Sequence, residues 1–201
     1  MWSSEPFNAP TSGTVTLPFL DGSESDGTQL LADNASFQGG NWLTATASIA
    51  DPPTHLGPDG NSNATELRGT TDNDRHLTYQ LVTIPANTAL TLSLYAKQNQ
   101  YRYLQMLPVG NGTTSKMYAY FDMQTGTVTD SGILVSNTGT VINQTSIQHA
   151  VNGFYKCSFS FTLDTTGTSM YVQFALSDVP TYGAPYLQTP QYLQELTLLT
   201  T

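Results

Sequence analysis

Tyr155-Lys156-Cys157-Ser158-Phe159-Ser160-Phe161-Thr162-Leu163 alternates without a break. Cys157, Phe159, Phe161 and Leu163 share one face; Ser158, Ser160 and Thr162 share the other. Period-2 alternation marks a strand with one face in a core and one face polar. Just upstream, Asn152-Gly153 supplies a turn that tolerates positive φ.

The same grammar recurs on either side. Residues 77–81 alternate, residues 89–97 point Leu90, Leu92, Leu94 and Ala96 one way, and residues 169–176 do the same with Met170, Val172, Phe174 and Leu176. Further strand candidates are 44–49, 64–68, 101–107, 116–123, 127–129 and 193–199, while 141–151 is ambiguous. Phe37 and Trp42 flank Gly39-Gly40 as apolar anchors around a loop. Turn signals such as Pro52-Pro53 and Pro58-Asp59-Gly60 separate the pieces, and no ten-residue helical pattern competes. Many short strands without βαβ units predict an all-β antiparallel sandwich. The 201 residues suffice for one such core.

Residues 1–28 read differently. Pro6, Pro10 and Pro18 interrupt them, and Asp21 to Gly27 is polar and acidic. The expected organisation is an extended N-terminal arm and linker over 1–28, followed by a sandwich over 29–201; the alternative for 1–28 is an ordinary edge strand and loop of the same domain. Trp2, Phe7, Val15, Leu17 and Phe19 are the arm's candidate docking side chains.

Composition narrows the function. Charged residues are 10% of the chain against a usual quarter, and six basic residues face fifteen acidic ones. Without clustered Lys and Arg, neither nucleic acid nor an anionic membrane is an expected partner. No segment approaches the ~18 apolar residues of a membrane helix. The first residues lack the basic start and apolar run of a signal peptide, which reads against classical export. One cysteine excludes an intrachain disulfide, and Cys157 sits on an apolar face.

Several segments, in order, resemble a jelly-roll domain similar to carbohydrate-binding modules and common in bacteriophage virion proteins. Leu30-Leu31 through Ser36-Phe37 and then Asn41-Trp42 resemble its opening. Pro58-Asp59-Gly60 precedes Thr65-Glu66-Leu67 as the family's turn precedes a short strand. Leu92-Ser93-Leu94-Tyr95-Ala96-Lys97, Tyr120-Phe121-Asp122-Met123-Gln124-Thr125-Gly126-Thr127-Val128 and Asn152-Gly153-Phe154-Tyr155-Lys156-Cys157-Ser158-Phe159-Ser160-Phe161 resemble three later elements. The likeness covers roughly residues 29–178. The chain departs near its end, where residues 186–195 lack the family's Trp-Gly pair. The resemblance implies a virion structural protein, a capsid-decoration or head-fibre subunit at the virion surface, made in the host cytoplasm. Its partners would be a major capsid or tail protein and copies of itself, as in a trimer. The alternative is a glycan-binding adhesion module of a tail or head fibre.

Two constellations could carry binding. Tyr101, Tyr103, Gln105, Tyr118 and Tyr120 would combine aromatic faces with amides, the chemistry of a sugar platform; the alternative is core or intersubunit packing of these tyrosines with their hydroxyls at the rim. Asp59, Asn61 and Asn63 place oxygens at alternate positions, like the start of a loop for structural calcium, though an EF-hand's remainder is missing. No other cofactor is expected. A glycosidase needs two carboxylates about 5–9 Å apart, and the sequence singles out no pair. His55, His76 and His149 lack metal-ligand spacing, and no nucleophile or phosphate motif occurs. The chain is therefore expected to be non-enzymatic.

Overall fold

The computed structural model describes residues 30–32, 37, 40–50, 55–70, 74–85, 88–98, 101–111, 115–135, 139–163, 169–177, 179–180 and 191–200, with backbone alone for 63 and 191–200. The expected arm, with Trp2, Phe7, Val15, Leu17 and Phe19, lies outside these residues. The strands are β1 (Leu43–Ala45), β2 (Ala47–Ile49), β3 (His55–Leu56), β4 (Ser62–Gly69), β5 (Leu77–Thr83), β6 (Ala89–Lys97), β7 (Tyr103–Met106), β8 (Val109–Gly110), β9 (Lys116–Asp122), β10 (Thr127–Val135), β11 (Val141–His149), β12 (Tyr155–Thr162), β13 (Ser169–Ser177) and β14 (Gln191–Thr200). Among the described residues, no helix is long and apolar enough to cross a membrane.

Two sheets form. Sheet I runs β1-β5-β13-β7-β9-β10, with β8 pairing β13 and β9; sheet II runs β11-β12-β6-β14-β4-β2, with β3 on β4. Every one of these pairings is antiparallel. The chain crosses repeatedly between the sheets, as between β4 and β5, β5 and β6, and β12 and β13. This is the antiparallel sandwich that the alternation predicts, with the jelly-roll form that the resemblance implies.

The opening stretch of the sequence is β12. Its register on β6 sets Cys157 opposite Leu94, Phe159 opposite Leu92 and Phe161 opposite Leu90, all fully buried. Sheet I meets them with Met170, Val172, Phe174 and Leu176 of β13, Leu104 and Met106 of β7, and Met117, Ala119 and Phe121 of β9. Each large apolar side chain so buried contributes about 1.5–3 kcal/mol. Phe37, Trp42 and Phe174 pack ring on ring, with centroids 4.9–6.0 Å apart, which fixes the expected anchors on the core. On the opposite face of β12, Ser158 and Ser160 pair with the hydroxyls of Ser93 and Thr91 at 2.9 and 2.7 Å. Those cross-strand bonds satisfy the polar half of the alternation.

Three local features differ from the expectation. β10 continues to Val135 rather than stopping at 129, because β-bulges at Thr129 and Leu134 carry the strand through Asp130-Ser131-Gly132. The ambiguous segment after residue 140 is the strand β11, with its own bulge at Asn143. β7 begins at Tyr103, because the chain bends at Arg102. The Asn-Gly turn is where it was expected, with Asn152 at φ 57° and Gly153 at φ 77°.

Candidate functional site on the outer face of sheet I

Sending Met117, Ala119 and Phe121 into the core turns Tyr118, Tyr120 and Asp122 to the other face of β9. The same parity puts Tyr103 and Gln105 on that face of β7, Tyr171, Gln173 and Ala175 on β13, and Tyr79 and Leu81 on β5. Registers align them: Gln105 stands opposite Tyr120 and Ala175, Gln173 opposite Tyr79, and Tyr171 opposite Leu81. On β10, Asp130 lies opposite Tyr120 and Gly132 opposite Tyr118.

The face has a buried centre and a more accessible rim. Gln105 and Tyr120 are fully buried, and Gln105 Nε2 donates to Tyr120 Oη at 2.9 Å. Arg75 Nη2 donates in turn to Gln105 Oε1 at 3.3 Å. Tyr103 is buried as well, with the Arg102 guanidinium 5.1 Å from its ring centroid. Around this centre, Tyr79, Tyr171, Gln173 and Tyr118 are half-buried, and Leu43, Leu81 and Asp130 are exposed. Tyr79 and Tyr171 meet edge to face at 6.1 Å, and Tyr118 and Tyr120 at 5.8 Å.

Tyr118 is held from two sides. Its hydroxyl donates to Asp130 Oδ2 at 3.1 Å. Its ring crosses β10 at Gly132, where an added Cβ would stand 2.8 Å from Oη and 3.0 Å from Cε1. Burial, with the bond to Asp130 and that carboxylate's charge, pushes the Tyr118 phenol above the ordinary tyrosine range.

At one end, Asp122 closes the turn between β9 and β10. Its Oδ2 accepts from Arg102 Nη2 at 2.7 Å and Nε at 3.1 Å, and its Oδ1 accepts from the amides of Gln124 and Thr125. Burial opposes the carboxylate's charge, but these donors outweigh it and lower the pKa to about 2.

The expected sugar platform is thus only partly assembled. Tyr103, Gln105, Tyr118 and Tyr120 do share one face, yet only Tyr118 among them is accessible, and the other three brace the sheet. Tyr101 is a correction. The bend at Arg102 turns it into the core, where it is fully buried with its ring 6.4 Å from that of His76. Sequence reading missed Tyr79, Tyr171 and Gln173. Their signal was present, since placing Met170, Val172 and Phe174 inward leaves Tyr171 and Gln173 outward.

The residues of the expected cation loop form a turn, and Asn152 Nδ2 donates to Gly57 O in it at 2.8 Å. Asp59 Oδ1 accepts from the Asn61 amide at 2.9 Å and Oδ2 from Asn61 Nδ2 at 2.7 Å. Gly57 and Gly60 close it by backbone bonds. Asn63 falls in β4, and nothing is described of its side chain. Among the described residues, no group of three His, Cys, Asp or Glu side chains is placed to hold a metal.

No protein-family model and no curated protein matches the sequence. Solved structures resemble it loosely. The enzymatically active domain of bacteriophage CBA120 tailspike protein 4 aligns at 12% identity with a TM-score of 0.49, over 85% of this chain. The chain spans only 21% of that tailspike's length. A CBM4 module aligns at 14% identity and TM-score 0.46, covering 84% of this chain and 94% of the module. The mannan-recognising carbohydrate-binding module TmCBM27 aligns at 12% identity and TM-score 0.40, covering 80% and 89%. At such identities and scores, nothing about a ligand follows from the likeness.

Proposed function

We propose that the protein is a non-enzymatic carbohydrate-binding module whose ligand lies along the outer face of sheet I. The observation that carries this reading is the rim of half-buried tyrosines, Tyr79, Tyr171 and Tyr118, interleaved with Gln173 and Asp130. A sugar ring has an apolar C–H face and a polar edge. Tyrosine rings offer apolar surface to the first, and an amide or carboxylate accepts hydroxyl protons at the second. Leu43 and Leu81, 53% and 50% exposed beside Tyr79 and Tyr171, extend the apolar rim rather than a catalytic cleft. Calorimetric titration with xylan, mannan and glucan oligosaccharides tests it. Binding that weakens in Tyr171→Ala supports the reading, and no heat from any glycan sinks it.

The ordered sequence resemblance adds a setting: a virion surface component in which the sandwich serves attachment and residues 1–28 dock on a capsid or tail protein. Light scattering on the full chain and on a chain starting at Thr28 tests the arm's role in assembly. A defined oligomer lost on truncation supports it, and monomers in both count against self-association.

A further inference from the structure

We propose that Gly132 is a positioning residue of this face: the side chain it lacks lets Tyr118 lie across β10 with its hydroxyl on Asp130, and that pose sets glycan affinity. The inference rests on the glycan reading and deepens it.

A tyrosine on an exposed strand face ordinarily samples several rotamers, and ordering it on binding costs free energy. Here the neighbours remove that freedom. The Tyr120 ring stands at 66° against Tyr118; its own hydroxyl accepts from Gln105, whose Oε1 accepts in turn from Arg75. Asp130 holds the phenol at the far end. The floor is Gly132, directly opposite in register. A methyl there would stand 2.8–3.0 Å from Tyr118 Oη, Cε1 and Cζ, closer than such atoms pack, so the ring would have to lift. Lifting it takes the hydroxyl away from Asp130 and turns the ring relative to a bound sugar.

Gly132 is not at one of the positive-φ positions of the backbone. The glycine is therefore not needed by the strand itself, and in a strand interior it is weaker than alanine by about 0.5–1 kcal/mol. Its presence is explained by the approach of the Tyr118 ring. That separates a positioning role from a structural one: the alanine should be neutral or favourable for folding and harmful for binding.

The test uses the full chain and the soluble neutral oligosaccharide, among xylan, mannan and glucan, that gives the largest heat. Gly132→Ala is expected to weaken binding at least tenfold while melting at the wild-type temperature or above it. Tyr118→Leu is expected to weaken it similarly, and Gly132→Ala added to Tyr118→Leu should weaken it no further. In the wild-type protein, the Gly132 Hα resonances should show a ring-current shift that disappears in Tyr118→Leu. Wild-type affinity in Gly132→Ala, or additive losses in the double variant, overturns the positioning role and leaves the glycan reading standing. A ring-current shift that remains in Tyr118→Leu overturns the pose, whereas the expected shifts with no glycan bound by the wild type overturn the glycan reading, and this inference falls with it.

Discussion

Arg102 Nη2 stands 2.7 Å from Asp122 Oδ2, tying the bend that enters β7 to the turn that leaves β9. The two ends of the pair differ, since the Asp122 side chain is 2% exposed and that of Arg102 is 42% exposed. With both amides of the turn also on Asp122, the carboxylate is a hub for one end of the candidate binding face.

Acid stability should report this hub. Asp122 titrates near 2 in the folded chain against an ordinary 3.8. A lowered carboxylate stabilises the fold above its unfolded pKa, and that contribution is lost as pH falls through the folded value. The shift corresponds to on the order of 2 kcal/mol, and the open Arg102 side screens it, so a loss of about 1–2 kcal/mol between pH 5 and 2 is expected. Urea unfolding across that range should show a shallower pH dependence for Asp122→Asn than for the wild type. Equal slopes would remove Asp122 from the account.

The next turn residue constrains the same corner. Gly126 has φ +68°, and a Cβ there would stand 2.6 Å from Tyr155 Cε1 of β12. Left-handed backbone costs an ordinary residue about 1–2 kcal/mol, and the contact adds to it, so Gly126→Ala should destabilise by about 2–3 kcal/mol. Adding Tyr155→Ala should relieve the contact part alone. A Gly126→Ala chain that unfolds at the wild-type urea midpoint would refute both contributions.

Strand existence was legible where alternation is unbroken. β12 buries every second residue through Phe161, and β6 and β13 begin the same way before neighbouring strands cover their outward residues too, from Ser93 in β6 and from Ala175 in β13. β10 was legible only over 127–129 because the bulges that carry it to Val135 depend on a partner's register and leave no mark in one strand's own pattern. Tyr101 was misplaced because the bend at Arg102 is set by the tertiary ion pair with Asp122. The outward tyrosines were findable by parity alone. Which of the outward residues stay reachable is a matter of burial across neighbouring strands, and a single sequence does not encode that locally.

Cys157 should be chemically silent in the native state. It is fully buried opposite Leu94, and burial pushes its thiol well above the ordinary cysteine range. Only the thiolate attacks a disulfide reagent. Labelling by an aromatic disulfide at pH 8 should be negligible without denaturant and should rise with urea along the unfolding transition. Rapid labelling of the folded chain would mean that the β6–β12 pairing opens locally.

The face and the core make opposite predictions for two tyrosines. Tyr79 sits half-buried on the outer face, edge to face with Tyr171 and in register with exposed Leu43. Removing its ring leaves no cavity in the core, so Tyr79→Ala should cost under about 1 kcal/mol of stability. If that face takes a sugar, the same change should weaken glycan binding about tenfold or more, the scale of one lost aromatic contact. Tyr101 is enclosed on the core side, and Tyr101→Ala should cost about 3–5 kcal/mol, as for other large aromatics truncated in a core. A glycan titration of the surviving folded fraction should return wild-type affinity for that variant. The pair is decisive because both residues are tyrosines near sheet I. A Tyr79→Ala protein that binds normally, beside a Tyr101→Ala protein that is stable and does not bind, would reverse the two faces.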